Sequence, residues 1–157
     1  MSVAFKVYGK ASPAGSKTVG FTKGGQHFVR DSAKGSKDWK RAVAQVAGAE
    51  MVGKQLLDGP LLLEVTFWLP RPKSHFGTGR NAEKLKPSAP RFPTVKPDAT
   101  KLLRAVEDAL TGIVWRDDAQ VCVQTVTKTY GEPARVDVRV VPILDNTAHG
   151  PREEAAA

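Results

Sequence analysis

The sequence predicts an α+β fold, a single domain in which an antiparallel or mixed sheet of about four to five strands carries two main helices packed on one face. Three observations predict it. Residues 3–7 and 61–69 alternate apolar side chains with period two, the pattern of half-buried strands. Residues 38–47 and 99–110 instead repeat them at helical spacing. The length, 157 residues, suits one core of ordinary size. The domain is expected over residues 1–145, with a Pro-rich basic loop at 70–97 inside it, and 146–157 as a disordered tail without any apolar period.

In chain order, Val3, Phe5 and Val7 form a short first strand that ends at Gly9. From Lys10 to Lys37 the composition turns to Gly, Ser and Lys, with Phe21 and His27 to Arg30 as extended pieces, which predicts a basic loop or ragged hairpin. Asp38 can cap a helix whose Trp39, Val43, Val46 and Ala47 share one face. Leu61, Leu63, Val65, Phe67 and Leu69 make the strongest strand, stopped by Pro70. Gln120 to Tyr130 is rich in β-branched residues and predicts another strand. Arg135 to Ile143 predicts a further one, with Val136, Val138 and Val140 facing one way. Gly131-Glu132-Pro133 joins these two, so the simplest arrangement is an antiparallel hairpin.

Charge narrows the partners. Lys and Arg number 24 against 16 acids, a net charge of +8 that favours a polyanion such as nucleic acid. No run approaches the ~20 apolar residues needed to span a bilayer, and the N-terminus shows no signal pattern, so the expected compartment is the cytoplasm. The single Cys122 cannot form an internal disulfide and is expected to pack as a small hydrophobe. His27, His75 and His149 are scattered without ligand spacing, which argues against a zinc site. In the Pro-rich loop, Lys73, Arg80, Lys84, Lys86 and Lys96 are candidate phosphate contacts, joined by Lys101 beyond it. His75, Phe76 and Phe92 lie among them and can stack on bases; a soluble, moving loop is the other reading of the same segment.

Against this basic background, five acids gather around one amphipathic helix, Ala99 to Leu110. Leu102, Leu103, Val106, Ala109 and Leu110 make its buried stripe; Thr100, Arg104, Glu107 and Asp108 share the other side, with Lys101 at its edge. Asp98 precedes the helix and can cap it. Glu107 and Asp108 sit in the last turn, where the helix dipole disfavours acids, so a compensating cation is implied, either Arg104 or a metal. Asp117 and Asp118 follow a glycine turn; adjacent acids point to different sides, so only one need reach the site. Hard oxygen ligands suit Mg²⁺, and a metal among acids beside cations is what phosphodiester hydrolysis needs.

The run PD-x-x-K-LL-R-x-x-x-DAL, then W-x-DDAQV and a strand ending TKTYGE, resembles the RusA-type Holliday-junction resolvases of bacteria and their phages. The likeness is densest over Lys96 to Tyr130. It implies a small homodimeric, Mg²⁺-dependent endonuclease, with Mn²⁺ as a substitute, that binds four-way DNA junctions and nicks two opposing strands in recombination and repair. The resemblance makes Asp98, Asp108 and Asp118 the family acids and puts Arg104 in place of a basic residue that is usually lysine. Arginine offers charge and hydrogen bonds but is a poor proton donor or acceptor.

Thr100 occupies the position of a further family acid. Glu107, two turns along the same face and about 10 Å away along the axis, is the candidate to replace it. The expected catalytic set is therefore Asp98, Asp118, Glu107 and Arg104, and the expected metal ligands are Asp98, Asp118, Glu107 and Asp108. A weakened nuclease that only binds branched DNA, and a basic structural protein whose acids merely cap helices, are the alternatives.

Overall fold

The computed structural model describes residues 1–15, 17–21, 27–31 and 35–144, with 17–21 and 27–31 known by backbone alone. The expected tail at 146–157 lies outside the described residues. Among the described residues six strands and two α-helices run in the order β1 (Val3–Tyr8), β2 (Lys17–Phe21), β3 (His27–Asp31), α1 (Ser36–Glu50), β4 (Leu61–Leu69), α2 (Ala99–Leu110), β5 (Val121–Tyr130) and β6 (Arg135–Pro142). The main sheet is mixed, with four strands ordered β1-β6-β4-β5, and β2 and β3 form a separate antiparallel pair. The α+β expectation of a mixed sheet and two helices holds, and the ragged hairpin falls where the extended pieces were.

The period-two patterns translate directly into burial. Along β4, Leu61, Leu63, Val65, Phe67 and Leu69 are buried, while Leu62, Glu64, Thr66 and Trp68 are half-exposed on the other face. Val3 and Val7 of β1 and Val136, Val138 and Val140 of β6 join them in one core. Trp39, Val43 and Ala47 of α1 close over it together with Leu102, Val106 and Leu110 of α2. The polar sheet face carries the ion pair Arg139–Glu64 at 2.7 Å.

Two local expectations change. Asp38 lies in the first turn of α1 rather than at its cap, which is Gly35 at φ 82; an acid there still complements the helix dipole. Cys122 is exposed. The register between β4 and β5 slips at this residue, since Leu61 pairs with Val121 and Leu62 already with Val123. Cys122 is thus the extra residue of a bulge on an edge strand and leaves the apolar alternation.

The predicted β5–β6 hairpin is also overturned, because β4 sits between the two strands. It pairs parallel with β5 and antiparallel with β6. A strand with five buried apolar side chains gains most at the sheet centre, where both its edges are hydrogen-bonded. The connection must then cross over the end of β4. Gly131 does so, donating its N–H to the Leu69 carbonyl at 3.0 Å, and a Cβ there would run into the six-membered ring of Trp68. Trp68 is not free to yield: its Nε1 donates to Asp137 at 2.8 Å and Arg135 covers its ring at 4.3 Å. Gly131→Ala is therefore expected to cost about 1–3 kcal/mol, read as a lower urea midpoint with an unchanged slope.

Candidate active site

The chain from β4 to β5 is the crossover that a parallel pair requires, and it carries the acids. Helix α2 buries the predicted stripe, with Ala105 added, and turns Arg104, Asp108 and the half-buried Glu107 outward. Gly112, at φ 80, then reverses the chain, so that Trp115 enters the core fully buried. Trp115 is three residues before Asp118, and its indole N–H donates to Asp118 Oδ1 at 2.9 Å. The Thr111 hydroxyl donates to the same oxygen. One oxygen of Asp118 is thus fixed from the core, and Oδ2 accepts no hydrogen bond among the described residues.

Asp117 and Asp118 separate as adjacent acids should. Asp117 caps the short 3₁₀ turn Asp118–Gln120, accepting from the Ala119 N–H at 2.8 Å, while Gln120 Oε1 accepts from Asp117 N–H at 3.1 Å. Gln120 also donates to the Leu57 carbonyl at 3.1 Å, tying the turn to the base of β4. Asp117 is structural, and Asp118 faces α2.

Glu107 is the acid on which the Asp118 charge acts. Burial and the Asp118 charge raise the Glu107 pKa above the ordinary carboxylate value, Asp108 adds to this, and the Gln124 hydrogen bond and Arg104 oppose it. Gln124 reaches Glu107 because of the bulge. With Cys122 left out of register, Gln124 pairs with Leu63 and shares its side of the sheet, so the amide Nε2 donates to Glu107 Oε1. Plain alternation from Val121 would have sent Gln124 to the other face. Gln124, Thr111 and Trp115 escaped sequence reasoning; only the Trp-x-x-Asp spacing hinted at one of them.

The remaining expected residues divide. Asp108 is taken by Lys40 of α1 at 2.6 Å, an interhelical pair that supplies its compensating cation. Arg104 is exposed and makes no ion pair among the described residues. Asp98 holds the N-cap position of α2 in extended backbone, but its side chain accepts no capping hydrogen bond; it stands 3.9 Å from Lys101. It lies about 13 Å from Glu107 along the helix axis. Among the described residues no three His, Cys, Asp or Glu side chains converge as a metal cluster. The acids thus form a pair, Glu107 with Asp118, and a separate acid at the cationic end of the helix.

Residues 70–97 form an arm with seven Lys or Arg and one acid, Glu83, which is six of the eight net positive charges. This Pro-rich loop has its own frame. Short 3₁₀ turns at Lys73–His75 and Gly79–Asn81 are joined by Gly77 N–H to Lys84 O at 2.9 Å and Lys86 N–H to His75 O at 2.9 Å. Lys73, Arg80, Lys84, Lys86, Lys96 and Lys101 are all exposed. Lys86 nevertheless donates to the Ser74 carbonyl at 2.8 Å, so part of its donor capacity serves the arm itself. Phe92 is half-exposed, with Arg91 at 5.2 Å over its ring.

A carboxylate pair held on one side from the core at one end of α2, with an arm that concentrates the positive charge at the other, is the layout of a protein that acts on the phosphodiester backbone of nucleic acid. The family model described as "Endodeoxyribonuclease RusA" matches residues 10–141. The chain is also 35% identical over 138 residues to the uncharacterized protein YqaN of Bacillus subtilis strain 168, a match covering 88% of this chain and 94% of that one. The chain belongs to the RusA family, the Holliday-junction-resolving endodeoxyribonucleases.

The raised pKa of Glu107 has a stability consequence. The folded protein holds this proton more tightly than the unfolded chain, so stability falls as pH rises through the interval above 4.5. Glu107→Gln removes the buried charge and is expected to raise the melting temperature near pH 7 by about 2 °C. Below the ordinary value of 4.5 the advantage disappears. Melts across this range, in chelator, check it.

Proposed function

We propose that the chain is a Mg²⁺-dependent resolvase that works as a homodimer, nicking two opposing strands of a four-way DNA junction, with Glu107 and Asp118 holding the metal. The observation that carries this reading is the Glu107–Asp118 pair. Glu107 and Asp118 are two hard oxygen donors of like charge, so a divalent cation between them relieves the repulsion, and the donor set fits Mg²⁺, or Mn²⁺ in its place. When bound, the ion supplies charge neutralisation at the scissile phosphate and a water of lowered pKa.

The protein's own residues do the rest. Trp115 and Thr111 hold Asp118 Oδ1, so the carboxylate keeps one rotamer and presents Oδ2. Gln124 orients Glu107, and Glu107 takes the place of the family acid replaced by Thr100. Arg104, whose charge already acts on Glu107, offsets negative charge building on the phosphate, without carrying a proton. Asp98 belongs to the cationic end of the site, where Lys96 and Lys101 meet the DNA backbone, and Lys73, Arg80, Lys84 and Lys86 of the arm extend that contact. Asp108 stays with Lys40. Dimerisation suits a junction, whose equivalent strands are related by symmetry.

Cleavage of a synthetic four-way junction with and without Mg²⁺ tests this. Asp118→Asn and Glu107→Gln are expected to lower the nicking rate at least ~100-fold while junction affinity is retained. Near-normal Mg²⁺-dependent nicking by Glu107→Gln would show that Thr100 needs no substitute acid. Junction binding by the wild-type chain with no products in any metal would favour a binding protein instead.

Trp115→Phe keeps the ring in the core and removes the N–H. It is expected to reduce kcat roughly tenfold and to leave KM unchanged. A change in KM alone would argue against positioning of Asp118.

A further inference from the structure

At the N-terminal end of α2 a cleft of about 520 Å³ is lined by Lys10, Lys96, Asp98 and Lys101. A second, of about 360 Å³, runs from Lys10 and Lys96 past Pro93 to Arg71 and Tyr130. Lys10 and Lys96 line both, so the two are one groove. Among the described residues four cations, Lys10, Arg71, Lys96 and Lys101, face it against the single acid Asp98.

Its walls are set by hydrogen bonds to the backbone. Ala14 N–H donates to Lys101 O at 2.9 Å, fixing the segment after β1 to the first turn of α2. Lys128, on the inner face of β5, donates to Val95 O at 2.8 Å and Pro97 O at 2.9 Å, fixing the end of the arm. Ala11 and Pro93 give it an apolar lining. At the far end the Arg71 guanidinium lies 4.9 Å over the Tyr130 ring, held by the Pro90 carbonyl at 2.7 Å, and His75 meets the same ring edge-on at 5.0 Å.

We propose that this groove seats one unpaired DNA strand, its phosphates on Lys10, Lys96 and Lys101 and a base stacked at the Arg71–Tyr130 end. A cationic track with a planar platform at its end fits a strand whose base faces are free, whereas a duplex keeps those faces in its own stack. Preset walls spare the ordering cost of binding. Lys10 thereby becomes a DNA contact from outside the arm. The proposal rests on the nuclease reading and specifies how a strand approaches that site.

The test compares the full-length Lys10→Gln/Lys96→Gln double variant with Arg41→Gln/Lys54→Gln, which removes equal charge from α1 and the turn after it. Binding of a labelled oligothymidylate is followed by anisotropy in chelator over a range of salt. The groove pair is expected to flatten the salt slope by roughly 1.4 and to weaken binding roughly 25-fold near 0.1 M salt. The α1 pair is expected to leave the slope unchanged. Equal losses in both variants, no loss in either, or competition by linear duplex as strong as by oligothymidylate would each overturn the groove.

Junction cleavage with Mg²⁺, run in parallel, separates the two readings. A chain that nicks junctions but binds oligothymidylate equally well in the double variant loses only the groove. One that nicks nothing yet shows the expected binding loss refutes only the nuclease.

Discussion

The double-sided pairing of β4 is the constraint on which the rest depends. Five buried side chains, Leu61 to Leu69, place this strand at the sheet centre, parallel to β5 on one edge and antiparallel to β6 on the other. The antiparallel neighbour β6 is reached from β5 through Gly131 and the short turn beside it, across the end of β4. The parallel neighbour needs a crossover long enough to return to the other end of the sheet. That crossover is residues 70–120, and it holds the basic arm, α2 and every acid of the site. The chemistry sits on the connection that the parallel β4–β5 pair requires.

Charge is then sorted along the crossover. The arm collects the cations at the end where β4 stops, and the Glu107–Asp118 pair occupies the opposite end of α2, braced by the core through Trp115. Partial burial and the nearby Asp118 charge are costly for the Glu107 carboxylate, and its raised pKa is the sign of that cost. Asp108, on the same turn, is quenched by Lys40 and makes a helix–helix tie instead.

Much of this was legible beforehand for a local reason. The alternation in β1, β4 and β6 and the stripe on α2 each report one buried face, and a face is a property of consecutive residues. The acids 98, 107, 108 and 118 were visible as a group because they crowd a short segment. What they touch was not. Asp108 was grouped with the site until Lys40, 68 residues away in sequence, claimed it. Asp98 is expected in the catalytic and metal sets and able to cap α2, yet its carboxylate accepts no capping bond and stands 3.9 Å from Lys101. Gln124 looked like a strand residue of no consequence.

The sequence by itself determined the fold class, the amphipathic faces, the concentration of charge in residues 70–97 and the family likeness over Lys96 to Tyr130. Each is encoded in spacing or composition within one segment. Only the tertiary structure decided the strand order and the partners of the acids. Both rest on pairings between distant segments, and one inserted residue, Cys122, resets the alternation of β5 so that Gln124 reaches Glu107. A single-residue shift of register changes which face every later side chain occupies, and nothing in the local pattern marks where that shift falls.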